Sequence, residues 1–336
     1  MGFVRVALDA MGSDRAPHTE VEGAVRAIQE LPAGFSLTLV GPAPAIEAEL
    51  ANYPGVDRSR IAVVDAPEVI GMGEKPLEAV RKKRKSSLVV GLGLHSGGKA
   101  DAFVSAGNTG AILAASTILL GLHPGVERAS VGTVLPTAEG PVLMLDAGTN
   151  LDCSPREIVG FAYLGSVYMR RIVHRENPTV GLLNVGEEEG KGTAQIKSAH
   201  DALKQATGLN YVGNIEGRDI LGGHQKLGRV DVVVCDGFVG NVVLKFYESV
   251  LLLVRHLAEQ EGLWDRPETQ TAFRMLDYSQ YGGAPLLGVK GHSIICHGSS
   301  NANAIKHAIR VAVQAVESGL SQGIGEQFAA FDAVKA

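Results

Sequence analysis

Seven short apolar runs, several of them with no polar alternation, constrain the fold of this chain more than any other feature. Most consist largely of Val, Leu, Ile and Ala, as in Val142–Leu145 and Val230–Val234. A strand without a polar face is covered on both sides, which is the situation in a parallel sheet flanked by helices. The predicted strands are Phe3–Leu8, Ser36–Val40, Ile61–Val64, Ala102–Val104, Val142–Leu145, Val180–Leu183 and Val230–Val234.

Helical patterns separate these runs. The first places Val21, Val25 and Ile28 on one face, and Thr19 with Glu22 predicts a capping box at its start. Alternation of strands and helices predicts a Rossmann-like α/β sandwich with three layers, α/β/α. No linker rich in Pro, Gly or Ser interrupts the chain, so we predict a single domain over residues 1–336.

Residues 242–281 break this alternation, because two helical patterns follow each other with no predicted strand between them. A turn at Gly262–Pro267 separates the two patterns, which predicts a helical hairpin projecting from the sandwich. The first helix is strongly apolar, but Lys245, Glu248 and Arg255 interrupt it. Since a spanning helix needs roughly 20 apolar residues, we expect no transmembrane segment.

Charge and cysteine content limit the function classes. A formal net charge of -5 disfavours general nucleic-acid binding. The three cysteines, Cys153, Cys235 and Cys296, are far apart and form no zinc-type spacing with histidine, so we predict no metal site. Few cysteines, and an N-terminus that enters a strand with no signal peptide, make a cytoplasmic location the expectation.

Loops rich in Gly, Asn, Ser and Asp follow the predicted strands. Ligands of open α/β sheets bind at the carboxyl ends of strands, where small residues allow close approach of the backbone and helix N–H groups favour anions. We therefore predict a phosphate-sized ligand at one edge of the sheet. These loops are 9–17, 105–110, 146–150, 184–192, 214–219, 236–241 and 297–301.

The sequence does not support binding of a nucleotide cofactor. Neither the G-x-G-x-x-G fingerprint nor the G-x-x-x-x-G-K-[ST] loop is present in a suitable place. Gly91-Leu92-Gly93 lacks a third glycine and lies in a helical pattern. We predict that the protein uses no cofactor.

The polar loops resemble those of the PlsX family, the phosphate acyltransferases of bacterial phospholipid synthesis. The resemblance covers nearly the whole chain and implies a fold similar to the isocitrate/isopropylmalate dehydrogenase type. The similar segments, in order, are Asp9–Gly12, Ser105–Gly110, Gly181–Gly186, Glu216–Asp219, Asp236–Asn241, Gly282–Gly288 and His297–Asn301.

A reaction and partners follow from the resemblance. It implies transfer of a fatty acyl group from acyl carrier protein to inorganic phosphate, which gives acyl phosphate. It also implies a homodimer, and a product used by a membrane glycerol-3-phosphate acyltransferase. The expected location is cytoplasmic, with peripheral contact at the inner face of the membrane.

Inorganic phosphate must be held and aimed, and the thioester oxyanion must be stabilised. Lys191 is a candidate cation, Asn241 a candidate oxyanion donor, and Asp236 a partner of Lys191 or a base. The remaining candidates are assigned to phosphate and substrate binding. They are Asp9, Gly12, Ser105, Asn108, Thr109, Arg218, Ser299, Ser300 and Asn301.

Each assignment has a structural alternative. Lys191 could be solvated, Arg218 could pair with Glu216 or Asp219, and Asn241 could only cap a helix. For His297 we favour a satisfied core histidine. For Cys153 and Cys296 we favour buried, inert thiols, because a phosphate acceptor makes an acyl-enzyme unnecessary.

Two surfaces are candidate partner sites. Lys82, Lys83, Arg84 and Lys85 lie in a basic run that could steer the acidic acyl carrier protein, although a solvated helix face is the alternative. In the hairpin, Leu263 and Trp264 are a candidate membrane tip, and dimer packing is the first choice for its helices.

Three other functions remain open on the residues alone. One is a phosphotransacetylase-like enzyme that uses acyl-coenzyme A. Another is a dehydrogenase of the isocitrate type, and the third is a scaffold without catalytic activity. The dense polar loops disfavour the scaffold, because a scaffold has no need of converging anion-binding segments.

Overall fold

The computed structural model describes residues 3–137, 139–223, 228–276 and 282–333. The strands are β1 (Val4–Asp9), β2 (Phe35–Gly41), β3 (Ile61–Asp65), β4 (Ala102–Ser105), β5 (Ser130–Val131), β6 (Thr133–Leu135), β7 (Val142–Leu145), β8 (Thr179–Leu183), β9 (Asn210–Ile215), β10 (Val232–Val234), β11 (Ala284–Leu287) and β12 (Ser293–Ile295). The helices are α1 (His18–Glu30), α2 (Ala43–Leu50), α3 (Pro76–Lys82), α4 (Ser87–Ser96), α5 (Thr109–Leu119), α6 (Pro155–Arg171), α7 (Ala194–Gln205), α8 (Asp219–Gly222), α9 (Gly237–Gln260), α10 (Pro267–Leu276), α11 (Ala302–Glu317) and α12 (Leu320–Ala333).

The chain divides into two compact units. Unit 1 comprises Met1–Pro124 and Tyr281–Gly325, and unit 2 comprises Gly125–Gln280 and Glu326–Ala336. Each unit has its own sheet, so the expectation of one sheet is wrong. That the whole chain acts as a single domain stays a prediction.

Unit 1 is a three-layer sandwich. Its strands run in the order β3-β2-β1-β4-β12-β11, all parallel except β11. Ala102 and Val104 of β4 join a buried cluster with α1 and α11. Phe103 points to the opposite face, where it packs against Gly91 of α4. The strand is therefore buried on both faces, as its unbroken apolar sequence predicts.

Unit 2 repeats this arrangement around the order β6-β7-β10-β8-β9, with only β6 antiparallel. Met144 and Val233 face an apolar cluster that includes residues of α9. Val232 faces the other way and contacts Gly165 of α6. The predicted Rossmann-like α/β class is thus confirmed.

The sequence predictions miss five strands, β5, β6, β9, β11 and β12. Three of them have at most three residues, β9 contains Gly213, and β11 contains Pro285. The predicted capping box of α1 is also wrong. The N-cap is Pro17, which makes no side-chain capping bond, and Thr19 is buried.

The helical hairpin is confirmed for the described part of the region: α9 and α10 follow each other directly. Helix α9 begins at Gly237, five residues before the predicted start, and the predicted end at Tyr281 lies outside the described residues. By length and composition alone, α9 is long and apolar enough to cross a membrane, and 17% of its most apolar stretch is buried. A single such helix is weak evidence for a membrane span.

Candidate active site

Three loops converge at one edge of the unit 1 sheet. Strands β1, β4 and β12 are adjacent and parallel, so their carboxyl ends meet there. The loops that follow them are 10–17, 106–108 and 296–301. Asp14 N–H donates to the Gly298 carbonyl at 2.9 Å, which joins the first loop to the third. The structure therefore brings three of the predicted anion-binding loops together.

Gly12 lies directly on the loop after β4. A Cβ at this position would be 2.7 Å from Gly107 N and 2.8 Å from Ala106 N. These neighbours are backbone atoms, which cannot rotate away as a flexible side chain can. A glycine is therefore required for this contact between the two loops, and binding of phosphate at Gly12 stays a prediction.

Asp9 and Ser105 form buried hydrogen bonds that hold the loops after β1 and β4 in place. The Ser105 hydroxyl donates to Asp9 Oδ2 at 2.7 Å and accepts from Gly107 N–H at 3.0 Å. Asp9 also accepts from Met11 N–H at 3.1 Å, and burial raises the pKa of its carboxyl. Both side chains are buried and already bonded. We therefore place them as supports of the loops, and a direct phosphate contact by either stays a prediction.

Glu20 is a buried acid that the sequence predictions missed. Its side chain has no exposed surface, and Oε1 accepts from Ser13 N–H at 2.6 Å. Oε2 has no hydrogen-bond partner among the described residues. Burial, and secondarily the charge of Asp9, raise the pKa of Glu20 to about 7. The sequence alone does not indicate this burial, because a glutamate on an amphipathic helix is normally solvated.

Because its pKa is raised, Glu20 contributes to the free energy of unfolding in a way that depends on pH. The folded protein holds the proton up to pH about 7, whereas the unfolded chain loses it near 4.5. The contribution is therefore complete below pH 4.5 and is lost as pH rises through about 7. We expect Glu20→Gln to gain about 2.5 kcal/mol relative to wild type between pH 5 and pH 8. Urea unfolding in phosphate-free buffer, followed by circular dichroism, measures the difference in unfolding free energy between the variant and wild type. If that difference is the same at pH 5 and at pH 8, Glu20 does not titrate with a raised pKa.

Asn108 fixes the start of α5 and a further loop. Its Oδ1 caps the helix by accepting from Ala111 N–H at 3.0 Å. Its amide donates to the carbonyl of Met72 at 2.8 Å and lies within 3.3 Å of the Glu74 carbonyl. Thr109, the first residue of α5, is exposed at the edge. Of these two predicted ligands, Thr109 is the one that faces solvent.

The loop after β12 ends in the N-terminus of α11. Asn301 caps this helix by accepting from Ala304 N–H at 2.9 Å. Ser299 is exposed, and its hydroxyl is 2.7 Å from Nδ1 of His297. The expectation that His297 is a core histidine is wrong, because the side chain is exposed beside Ser299. Ser300 N–H donates to the His297 carbonyl at 2.9 Å, so a tight turn shapes the loop.

A second set of loops lies at the carboxyl edge of the unit 2 sheet. Asp146 organises the first of them: its fully buried carboxyl accepts the backbone N–H groups of Gly148 at 2.9 Å and of Thr149 and Asn150 at 3.0 Å. The Thr149 hydroxyl and the Asn150 amide add two further bonds. The sequence predictions named the loop but missed Asp146 as its centre.

Asp236 and Asn241 lie at the start of α9, Asp236 just before it and Asn241 in its second turn. Asp236 is the N-cap and accepts from Val239 N–H at 2.8 Å. The alternative reading of Asn241 as the cap is therefore wrong. Asn241 is exposed and lies against Gly148, where a Cβ would be 3.3 Å from the Asn241 Cβ. Its amide is thus exposed beside the loop after β7, and its role as an oxyanion donor stays a prediction.

The two predicted cations of unit 2 differ. Arg218 pairs with Glu187 at 3.4 Å and with Glu216 at 3.2 Å, so its charge is largely offset. Lys191 is exposed and forms no ion pair with any described residue. Lys191 is therefore the better candidate for an anion ligand.

Covalent and metal chemistry find no support among the described residues. Cys153, Cys235 and Cys296 are all buried. Burial raises the pKa of Cys153 and Cys296 to about 12, which keeps both thiols protonated and poorly nucleophilic at neutral pH. No group of three His, Cys, Asp or Glu side chains in the described ranges could hold a metal ion.

The fold and the glycine-rich loops define a Rossmann-like α/β protein with polar loops at the carboxyl ends of its strands. Among solved structures, a phosphotransacetylase from Streptococcus pyogenes shares this fold. Its TM-score is 0.62 at 16% identity, with 96% of this chain and 94% of that chain covered.

The sequence identifies the family. The chain belongs to the family described as "Fatty acid synthesis protein", whose sequence model matches residues 4–323. Two curated relatives are both called phosphate acyltransferase. The protein from Heliobacterium modesticaldum is 46% identical and that from Desulforamulus reducens 47% identical, and each alignment covers 96% of this chain and 97% of the relative.

Proposed function

We propose that the protein transfers a fatty acyl group from acyl carrier protein to inorganic phosphate, giving acyl phosphate for phospholipid synthesis. The observation that carries the proposal is near-full-length identity of 46% and 47% to two phosphate acyltransferases. The converging loops of unit 1 support it, because they place the exposed residues Thr109 and Ser299 near the starts of two helices at one sheet edge, where anions are favoured.

The proposed reaction chiefly requires a site that positions phosphate. Phosphate is an anion that can attack a thioester carbonyl directly, so the protein must chiefly orient it and stabilise the developing oxyanion. Thr109 and Ser299 expose hydroxyls at the unit 1 edge, where α5 and α11 begin. At the unit 2 edge, Lys191, which forms no ion pair within the described part of the chain, supplies positive charge, and Asn241 supplies an exposed amide.

The direct test combines purified protein, an acyl thioester and inorganic phosphate, with acyl phosphate trapped by hydroxylamine. The same acyl group is offered on acyl carrier protein and on coenzyme A. Faster turnover with the protein carrier supports the proposal, whereas exclusive use of coenzyme A favours a phosphotransacetylase-like enzyme. Absence of acyl hydroxamate with both carriers refutes the proposed reaction.

The basic run at the end of α3 is the proposed docking site for the acidic carrier protein. Lys82, Arg84 and Lys85 are exposed. Lys83 differs from them, because its ammonium donates to the Val69 carbonyl at 2.7 Å and to Glu74 at 2.5 Å. We therefore retain three of the four residues as steering charges and assign Lys83 a mainly structural role.

Charge reversal at the basic run should weaken use of the protein carrier. Lys82→Glu with Arg84→Glu is expected to raise KM for acyl carrier thioester about tenfold at low salt, because attraction becomes repulsion. KM for the coenzyme A thioester should stay near wild type. The control, Lys99→Glu with Lys197→Glu, makes the same change in net charge at two exposed lysines elsewhere. Equal effects of the two double variants would rule out a local docking site.

We also propose that the protein is a homodimer that packs through α9. This helix exposes a stripe of apolar side chains at helical spacing, which is unfavourable in water. Phe246 is 70% exposed and Leu253 56% exposed. The other members of the stripe are Phe238, Val242, Val250 and Leu257.

Acidic residues in the stripe should separate the subunits. Phe246→Glu with Leu253→Glu is expected to convert a dimer into monomers at micromolar concentration, because two charges would enter an apolar interface. Sedimentation velocity measures the result. Ser198→Glu with Gln205→Glu, which adds two acidic residues at exposed polar positions of α7, is the control. A wild-type protein that sediments as a monomer would refute the dimer.

Peripheral membrane contact at Leu263 and Trp264 is a separate proposal. Leu263 is 37% exposed. Trp264 packs edge-on against Phe273 with ring centroids 5.0 Å apart, and Arg255 lies over its ring at 4.7 Å. Trp264 therefore also supports the hairpin. Sedimentation with anionic vesicles tests the contact: equal pelleting of wild type and Leu263→Ser with Trp264→Ser would argue against it. A cytoplasmic location and transfer of product to a membrane glycerol-3-phosphate acyltransferase belong to the same proposal.

A further inference from the structure

Segment 70–76 of unit 1 is a fourth component of the edge formed by the loops after β1, β4 and β12. Two contacts hold it there, and a third closes it on itself. The Asn108 amide donates to the Met72 carbonyl at 2.8 Å, and Pro76 packs against Gly110. Glu74 accepts from Gly71 N–H at 2.6 Å, which closes the segment into a turn. The backbone of this segment is thus fixed relative to the predicted phosphate loops.

The Met72 side chain lies over the loop after β12. A Cβ at Gly298 would be 2.6 Å from the Met72 Cε, so the methyl group packs directly on this glycine. Even so, the side chain of Met72 is 47% exposed. Ser299, which follows Gly298, has an exposed hydroxyl. An apolar side chain therefore borders the polar groups to which phosphate binding is assigned.

A flexible thioether is a poor ligand for a phosphate anion, but it is well suited to alkyl and thioester surface. The second substrate of the proposed reaction carries both. We propose that Met72 is a specificity-determining residue that contacts the alkyl carbons of the acyl chain next to the carbonyl under attack. This inference rests on the proposed function and adds the residue that recognises the apolar part of the substrate.

Kinetics with acyl thioesters of increasing chain length test the inference. We expect Met72→Ala and Met72→Gln each to raise KM for a long-chain acyl thioester about tenfold, because apolar contact is lost. KM for phosphate should change less than twofold, and the penalty should shrink for an acetyl thioester. Met72→Leu keeps the apolar surface and should retain near wild-type KM. Ile118→Ala, at an apolar position that is 54% exposed near the other end of α5, is the control.

The outcomes separate this inference from the proposed function. If wild type makes acyl phosphate and the Ala and Gln variants keep wild-type KM for all acyl thioesters, Met72 has no such role. A parallel rise in KM for phosphate and for every acyl chain would show a purely structural role and would also overturn the inference. A wild-type protein that forms no acyl phosphate would instead refute the proposed function.

Discussion

Replacing Gly12 with alanine is expected to lower the rate of acyl phosphate formation by about 100-fold or more. The new methyl group would lie 2.7 Å from Gly107 N and 2.8 Å from Ala106 N. Since both neighbours are backbone atoms, the loops after β1 and β4 must move apart. A displacement of about 1 Å of a substrate-positioning group can cost about 100-fold in rate. Steady-state kinetics with saturating phosphate measure the effect.

Gly73→Ala is the matched control for this prediction. It makes the same substitution at the same edge, but a Cβ at Gly73 meets no atom within 4 Å. The control should keep activity within about twofold. Thermal unfolding of both variants separates displaced loops from global unfolding. Wild-type activity in Gly12→Ala would show that the contact between the two loops does not set the geometry of the site.

The layered architecture could be predicted from the sequence because burial on both faces leaves a direct mark. The runs Val142–Leu145 and Val180–Leu183 have no polar residue, and both are strands with parallel neighbours. Their division between two sheets could not be predicted. Strand β12 lies between β4 and β11, although it comes last in the chain. Pairing of this kind depends on contacts between distant segments, which hydrophobic periodicity does not encode.

The candidate site was predicted at the level of loops, but less well at the level of side chains. A polar residue in a loop can face solvent or turn inward, and its rotamer depends on tertiary packing. Ser105 turns inward to Asp9, whereas Ser299 is exposed. Glu20 occupies a helix position where an acid is normally solvated, yet it is buried. A single sequence gives no indication of this burial.

Replacing Asp146 with asparagine is expected to destabilise unit 2 by about 3 kcal/mol. The carboxyl is fully buried and accepts the backbone N–H groups of Gly148, Thr149 and Asn150. An amide offers one acceptor oxygen, and its NH2 group would face these donors. Buried donors would then lose their partners. Helix α9 packs directly on this loop, because a Cβ at Gly240 would collide with the Asp146 carbonyl oxygen.

The only tryptophan of the chain, Trp264, lies in unit 2 and reports on its unfolding by fluorescence. The urea midpoint of Asp146→Asn should fall well below that of wild type. Asp152→Asn, at an exposed carboxylate a few residues further along the same loop, should leave it unchanged. Activity should also fall, because the Asn241 amide rests against Gly148 and moves with this loop. Equal midpoints for the two variants would mean that water replaces the lost acceptor, and that the Asp146 carboxyl does not hold the loop in place.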